Sequence, residues 1–304
     1  MDLAFEGAKE AGAAPSWFRI RPTRVIFRAL RDFPVLPVAV LVALMLLAVV
    51  VPALSPYDPI KGNLRDRNVG PVWTTDGNWS HPLGTDVVGR DVLTRLAHGA
   101  RVSLTVAVVA LVSGTVIGTT LGLVAGYFGG LTDELIMRVV DVWFAFPFLL
   151  IALLIGVVVG ASLYTIIGLL VLFVWASFVR YVRAEVLTLK ERDYVSMAKI
   201  AGAGTSRILL RHILPGVVNT IAVVASLRIG QLILAEASLS FLGAGIPPPR
   251  PSWGVMISDG RQYIQEAWWI TVFPGLAVFS LVYAFNFLGD WLRDRLDPRL
   301  RQVN

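Results

Sequence analysis

The predicted span between Gly216 and Leu242 carries two ionisable side chains, Arg228 and Glu236, with Gln231 close to Arg228 on the helix. An ionised side chain at the centre of a bilayer costs about 2.5–3.5 kcal/mol on insertion scales, so such residues face a bundle interior, a partner subunit or a water-filled path. These three residues are therefore candidates for lining a translocation path. A structural role, in which the charged groups pair with one another or with a neighbouring helix, fits the sequence equally well.

The residue patterns that hydrolases and nucleotide-binding proteins need are missing from this sequence. None of the four lysines follows a glycine, so there is no Gly-Lys-Ser/Thr phosphate loop. His-Glu-x-x-His and Gly-x-Ser-x-Gly do not occur, and there is no cysteine. We therefore expect no catalytic residue, no metal site and no cofactor in this chain. If transport uses ATP, a separate chain must hydrolyse it.

The composition is that of a membrane protein. Hydrophobic residues make up 56% of the 304 residues and charged residues 16%, against about 45–50% and 25% in soluble domains. A bilayer core of about 30 Å needs about 20 apolar residues per helix, and several uncharged runs reach that length. The net charge of +6 fits basic cytoplasmic loops better than a nucleic-acid partner, which we do not expect.

The uncharged runs predict an all-α polytopic fold with six transmembrane helices. The turn at 160–162 (Gly-Ala-Ser) divides a run that is too long for one helix. The predicted spans are Val35–Leu54, Val102–Tyr127, two helices within Val142–Val179, Gly216–Leu242 and Ala267–Gly289. The remaining pieces are a basic arm (1–34), an extracytoplasmic segment (55–101), a cytoplasmic loop (180–215) within the five-helix core (102–290), and a basic tail (291–304).

The distribution of lysine and arginine predicts the orientation. With the N-terminus in the cytoplasm, the cytoplasmic pieces hold 18 of these residues and the opposite side holds eight, most of them on one long segment. Long segments weigh less in the positive-inside rule, so both termini are predicted to be cytoplasmic.

A regular series of glycines marks one face of the second predicted span. They are four residues apart and leave bare backbone along about three turns, which lets another helix approach closely in lipid. The series consists of Gly114, Gly118, Gly122 and Gly126.

The loop 180–215 contains a short amphipathic pattern. Tyr194, Met197, Ala198 and Ala201 fall on one helical stripe, which Gly202-Ala203-Gly204 then ends. Thr205 or Ser206 could cap a second helix that runs to Ile213, with Pro215 near the start of the next span. Such short helices need a surface to dock against, although a solvated loop is the alternative.

The same loop resembles a known family motif. The stretch from Tyr194 to Gly202, followed by His212-Ile213-Leu214-Pro215, is similar to the EAA loop of bacterial ABC importer permeases. Ala198, Gly202, Leu214 and Pro215 keep the pattern, whereas Ser196 replaces the glutamate of the motif and Met197 its first alanine.

Two further segments resemble one subgroup of that family, the C-type permeases of dipeptide and oligopeptide importers. The first, His81-Pro82-Leu83-Gly84-Thr85-Asp86, continues through Gly89-Arg90-Asp91 to Gly99-Ala100-Arg101-Val102-Ser103-Leu104. The second is the tail from Leu288 to Arg299. Together the resemblance covers about residues 20–301.

The resemblance implies a type I ABC importer permease fold in a bacterial inner membrane, with both termini cytoplasmic. It implies four kinds of protein partner or ligand: a homologous second permease, two ATPase subunits that bind ATP and Mg²⁺, an extracytoplasmic solute-binding protein, and a peptide-like solute. In the family the EAA loop is a coupling helix seated on the ATPase. Carried over, the coupling residues are Tyr194, Ser196, Met197, Ala198, Lys199, Gly202, Ala203 and Arg207.

The transported solute stays open at this point. Members of the resembled group import dipeptides, oligopeptides, glutathione or nickel complexes. A secondary transporter driven by an ion gradient is the rival class, and such a protein needs relay carboxylates at the midplane of the bilayer. Glu236 and, near the ends of predicted spans, Asp141 and Asp290 are the only candidates for that role.

Overall fold

The structure is a computed structural model that describes residues 34–296; the predicted basic arm and the last part of the tail lie outside the described residues. No β-strand occurs within 34–296, where Thr85 and Asp91 form an isolated bridge. The helices are α1 (Val35–Leu54), α2 (Val92–Phe128), α3 (Gly130–Ala145), α4 (Phe148–Val159), α5 (Leu163–Leu189), α6 (Asp193–Ile200), α7 (Thr205–Phe241), α8 (Trp253–Gly260) and α9 (Trp269–Leu296).

Within residues 34–296, five helices are long and apolar enough to span a bilayer, and α3 with α4 supplies a sixth if that bent pair is one span. The sequence predicted that the third span begins at Val142, and the structure shows a bend of 85° between α3 and α4 just after that residue. The cause is Pro147, which disfavours helical geometry at Phe146 and leaves it extended. The predicted turn at 160–162 is present, and the Ser162 hydroxyl accepts a hydrogen bond from the Thr165 amide at 3.0 Å.

Helix α2 begins at Val92 rather than at the predicted Val102. The Asp91 carboxylate accepts a hydrogen bond from the Thr94 amide at 2.7 Å and so caps the helix. Charged residues occur in its first turns because they bind partners there: Arg95 donates to the Pro59 carbonyl at 3.0 Å. The charge of Arg95, which seemed to exclude this part from the helix, is therefore satisfied by groups from other parts of the chain.

Helix α7 joins two elements that the sequence predicted to be separate. It starts at Thr205 after Gly204, and neither Thr205 nor Ser206 caps it as predicted. Residues 208–213 (Ile208–Ile213) form a π-helical segment immediately before Pro215. In a regular α-helix the proline ring would clash with the carbonyl four residues earlier, and wider π-helical winding relieves that clash. Helix α7 therefore continues through the proline.

Helix α9 extends beyond its predicted end at Gly289 and reaches Leu296.

The glycine series of α2 packs directly on α5. A Cβ atom on Gly118 would lie 2.4 Å from the Trp175 carbonyl oxygen, and one on Gly122 would lie 2.8 Å from Cβ of Val182. Gly114 and Gly126 approach the same helix, at Val174 and Val186 respectively. The two backbones therefore run close together over the length of this contact.

The chain from residue 55 to 91 folds against the ends of α2, α8 and α9. The Trp269 indole donates to the Thr85 carbonyl at 3.0 Å, and Asp86 accepts from Arg90 Nε at 2.6 Å. Arg90 and Arg95 both reach Asp259 of α8, at 3.6 Å and 3.5 Å. Burial raises the pKa of Asp259, and the two guanidinium groups oppose that rise. Residues 55–91 therefore form an ordered structure that these hydrogen bonds and ion pairs hold against the helices.

Replacing Gly89 with alanine should loosen the neighbouring turn at 62–67. Gly89 has a φ of +76°, and a Cβ atom there would lie 1.8 Å from the Asn63 carbonyl oxygen. We expect trypsin to cleave after Arg65 or Arg67 at least about tenfold faster than in the wild type, because cleavage follows local opening. Gly129→Ala is the control, since Gly129 shares a positive φ but has open space. Equal cleavage rates in both variants would contradict this account.

Candidate functional site

Helix α6 is an eight-residue element between the long helices α5 and α7. One of its side chains, Val195, is fully buried. It belongs to an apolar cluster that is separate from the main core and that draws on α2, α5, α6 and α7. The buried members of this coupling cluster are Leu123, Val182, Val186, Val195, Ile208, Ile213 and Val217. A force applied to α6 therefore reaches the ends of three long helices.

The opposite side of α6 is apolar and exposed. Ile200 has 87% of its surface exposed and Met197 70%, and Tyr194 lies beside them, exposed by 45%. The predicted stripe included Tyr194, Met197, Ala198 and Ala201, but Ala198 is only half-exposed. Ile200 was missed because it falls outside the i, i+3, i+4, i+7 pattern. Its spacing of three residues from Met197 was the signal available in the sequence.

The turn after α6 explains the small residues that follow it. Gly202 has a φ of +78°, its amide donates to the Lys199 carbonyl at 3.0 Å, and the Ala203 amide donates to the Ala198 carbonyl at 3.0 Å. This pair of bonds is a Schellman motif, which favours glycine at the left-handed position. Ala203 then packs against the coupling cluster.

The polar candidates of the coupling loop are at the rim of α6. Ser196 and Arg207 are exposed, and the Lys199 ammonium lies 5.7 Å from the centre of the Tyr127 ring at the end of α2. Such a cation–π contact contributes about 0.5–1 kcal/mol at an exposed site. Lys199 therefore helps to hold α6 against α2.

The structure brings together only two of the three predicted path residues. Arg228 donates a hydrogen bond to the Gln231 side chain, and Gln231 is exposed. Glu236 is fully buried, and its carboxylate accepts hydrogen bonds from Ser103 and Ser240, each at 2.8 Å. Glu236 therefore joins α7 to α2 and does not share the surface of Arg228.

Comparisons with known proteins agree with this architecture. The family described as "Binding-protein-dependent transport system inner membrane component" matches residues 118–302. The dipeptide transport system permease protein DppC of Escherichia coli K12 is 44% identical over 262 residues, 86% of this chain and 87% of that protein. The glutathione transport system permease protein GsiD of Pectobacterium atrosepticum is 42% identical over 283 residues, 92% of each chain.

A solved structure of the MetNI methionine ABC transporter, in inward-facing conformations, has a chain of similar fold. The TM-score is 0.52 at 20% identity, and the match covers 67% of this chain and 96% of that chain. At this level of identity the likeness shows a shared fold.

Proposed function

Because the chain belongs to the family of binding-protein-dependent transport system inner membrane components, we propose that it is one permease subunit of an ATP-driven importer of di- or oligopeptides or related solutes. Its family is that of inner-membrane transport components, and its long apolar helices fit multiple crossings of that membrane. Dipeptide and glutathione permeases are similar to it over most of its length, which supports a peptide-like solute. The chain forms half of a path and supplies no catalytic group.

The exposed apolar face of α6 is the observation that carries the coupling part of this proposal. An isolated helix of eight residues is not stable in water, so α6 depends on its contacts. Val195 fixes one face, while Met197 and Ile200 have no cover among residues 34–296. We propose that a groove on a separate ATPase subunit covers them, with Tyr194, Ser196, Lys199 and Arg207 around the contact.

The proposed complex has two permeases, two ATPase subunits and a solute-binding protein. ATP and Mg²⁺ bind to the ATPase subunits. When these subunits close, α6 moves with them, and the coupling cluster passes the movement to α2, α5 and α7. The buried members of this cluster differ from those of the main core, and Ile221 packs against both, so a shift of the helix ends is passed on to the rest of the bundle through α7. The permease pair then alternates between its two open states.

The experiment that tests this function is ATP hydrolysis by the chain purified with its co-expressed genomic neighbours and placed in lipid. We expect hydrolysis to rise when a solute-binding protein loaded with a peptide mixture is added. If no ATPase co-purifies and solute uptake follows an imposed ion gradient instead, the rival assignment as a secondary transporter is correct.

A further inference from the structure

We infer that α9 contributes Tyr283 and Asn286 to the solute path, beside Arg228 and Gln231 of α7, and that these four side chains bind the carboxylate end and nearby amide groups of a peptide-like solute. We call these four residues the polar belt. This inference rests on the proposed function and adds to it the groups that contact the solute.

Close packing places the two halves of the polar belt side by side. A Cβ atom on Gly230 would lie 3.5 Å from Oδ1 of Asn286, and one on Gly289 would lie 2.7 Å from the Leu227 side chain. Asn286 therefore lies at the seam between α7 and α9, next to the residue that precedes Gln231.

The exposed faces of α7 and α9 lie next to each other, one on either side of this seam, and form one surface. On α7, the exposed Leu234 and Gln231 lie about 40° and about 100° beyond Gly230. On α9, the exposed Tyr283 and Phe287 lie about 100° and about 140° beyond Val282. Helices α7 and α9 are consecutive spans and therefore run antiparallel. In an antiparallel pair, residues that follow the contact by the same angle on each helix lie on the same side of the pair.

The polar groups on this surface lack partners within the described part of the chain. Neither the Asn286 amide nor the Tyr283 hydroxyl makes a hydrogen bond there, and Arg228 has Gln231 as its partner but no carboxylate. In a membrane-spanning helix such groups face water, solute or another protein. The Arg228 guanidinium is best matched by an anion. The side-chain amides of Gln231 and Asn286 are best matched by groups that both donate and accept hydrogen bonds.

The C-terminal end of a peptide offers both an anion and amide groups that donate and accept hydrogen bonds. Its carboxylate matches the planar donor fork of Arg228, and its main-chain amides match Gln231 and Asn286. Aromatic rings continue the surface on both sides of Tyr283, with centroid distances of 6.3 Å to Phe279 and 6.2 Å to Phe287. They give apolar solute side chains a surface along which to slide. This favours the solute over the second permease as the occupant, because the surface combines a cation that has no carboxylate partner with an Asn286 amide that makes no hydrogen bond within the described residues.

The test measures peptide uptake by the whole complex in proteoliposomes, with each peptide loaded on the binding protein beforehand. One peptide has a free carboxylate and the other is its C-terminal amide. We expect Asn286→Leu and Tyr283→Phe to slow uptake of both, Asn286→Leu by at least about fivefold. Arg228→Gln should remove most of the preference for the free carboxylate. Tyr164→Phe is the matched control, since Tyr164 is 85% exposed at the start of α5 and lies outside the belt.

Each outcome decides between the occupants. Slower uptake in complexes that keep both permeases and their stimulated ATP hydrolysis supports the polar belt. Unchanged uptake in all three belt variants overturns it while leaving the proposed function intact, because the wild-type complex still imports peptide with ATP. Loss of the second permease from purified Asn286→Leu complexes would make this surface a subunit interface and would also overturn the inference. Absence of ATP-driven uptake by the wild type would instead reject the proposed function.

Discussion

Replacing both Met197 and Ile200 with glutamate abolishes the stimulation of ATP hydrolysis by solute-loaded binding protein. Burial of one large apolar side chain contributes about 1.5–3 kcal/mol, so the two together contribute at least about 3 kcal/mol to docking. Glutamate loses that contribution and also brings a charge to the contact. We expect association with the ATPase subunits to weaken at least about 100-fold. Co-purification of the subunits and the stimulated rate of hydrolysis measure this directly.

The double variant should leave the fold of the permease intact. Both side chains are mostly exposed, whereas Val195 is buried on the other side of the helix and Lys199 contacts the Tyr127 ring. Leu64→Glu is the control, because Leu64 is 69% exposed on the 55–91 segment, far from α6 in the chain. A double variant that co-purifies with the ATPase and responds to binding protein like the Leu64 variant would show that α6 does not carry the coupling contact.

The spans were predictable from hydropathy, but their ends were not. Val35–Leu54 appears as predicted because uncharged residues alone define it. The sequence did not indicate that α2 begins ten residues before the predicted span, because Arg95 resembles a loop residue until its partners Asp86, Asp259 and Pro59 are known. Pairing that involves distant parts of the chain decides where this helix begins, and a single sequence does not reveal it.

The candidate site was partly predictable for a similar reason. The break at Gly202 followed from local turn chemistry, and the structure adds its left-handed conformation. Whether Glu236 faces the path or the interior depends on Ser103, which is more than a hundred residues earlier in the chain. Spacing along α7 does not supply that contact. Ile200 was missed because it lies outside the i, i+3, i+4, i+7 pattern that starts at Tyr194, although its spacing of three residues from Met197 was visible in the sequence.

Gly118→Val should prevent the stable packing of α2 on α5. The atom that a Cβ would meet at 2.4 Å is a backbone oxygen of Trp175, which cannot rotate away as a side chain can. Overpacking commonly costs about 1–3 kcal/mol, and a clash with backbone in the longest helix contact belongs at or above the top of that range. We expect a loss of about 3 kcal/mol or more in the free energy of unfolding. Denaturation of the purified chain in mixed detergent micelles measures it.

Gly168→Val separates this packing effect from the general effect of valine in a helix. Gly168 lies within α5, is exposed, and has open space around the position of a Cβ atom. The helix propensities of the two substitutions are alike, so the difference between the variants measures the helix contact alone. In lipid that contact depends on close backbone approach rather than on apolar burial, because lipid tails are as apolar as the side chains they would replace. Comparable stability of the two variants would therefore mean that α2 and α5 are held together by other contacts, such as the hydrogen bond from the Lys190 ammonium to the Gly126 carbonyl and the coupling cluster near their ends.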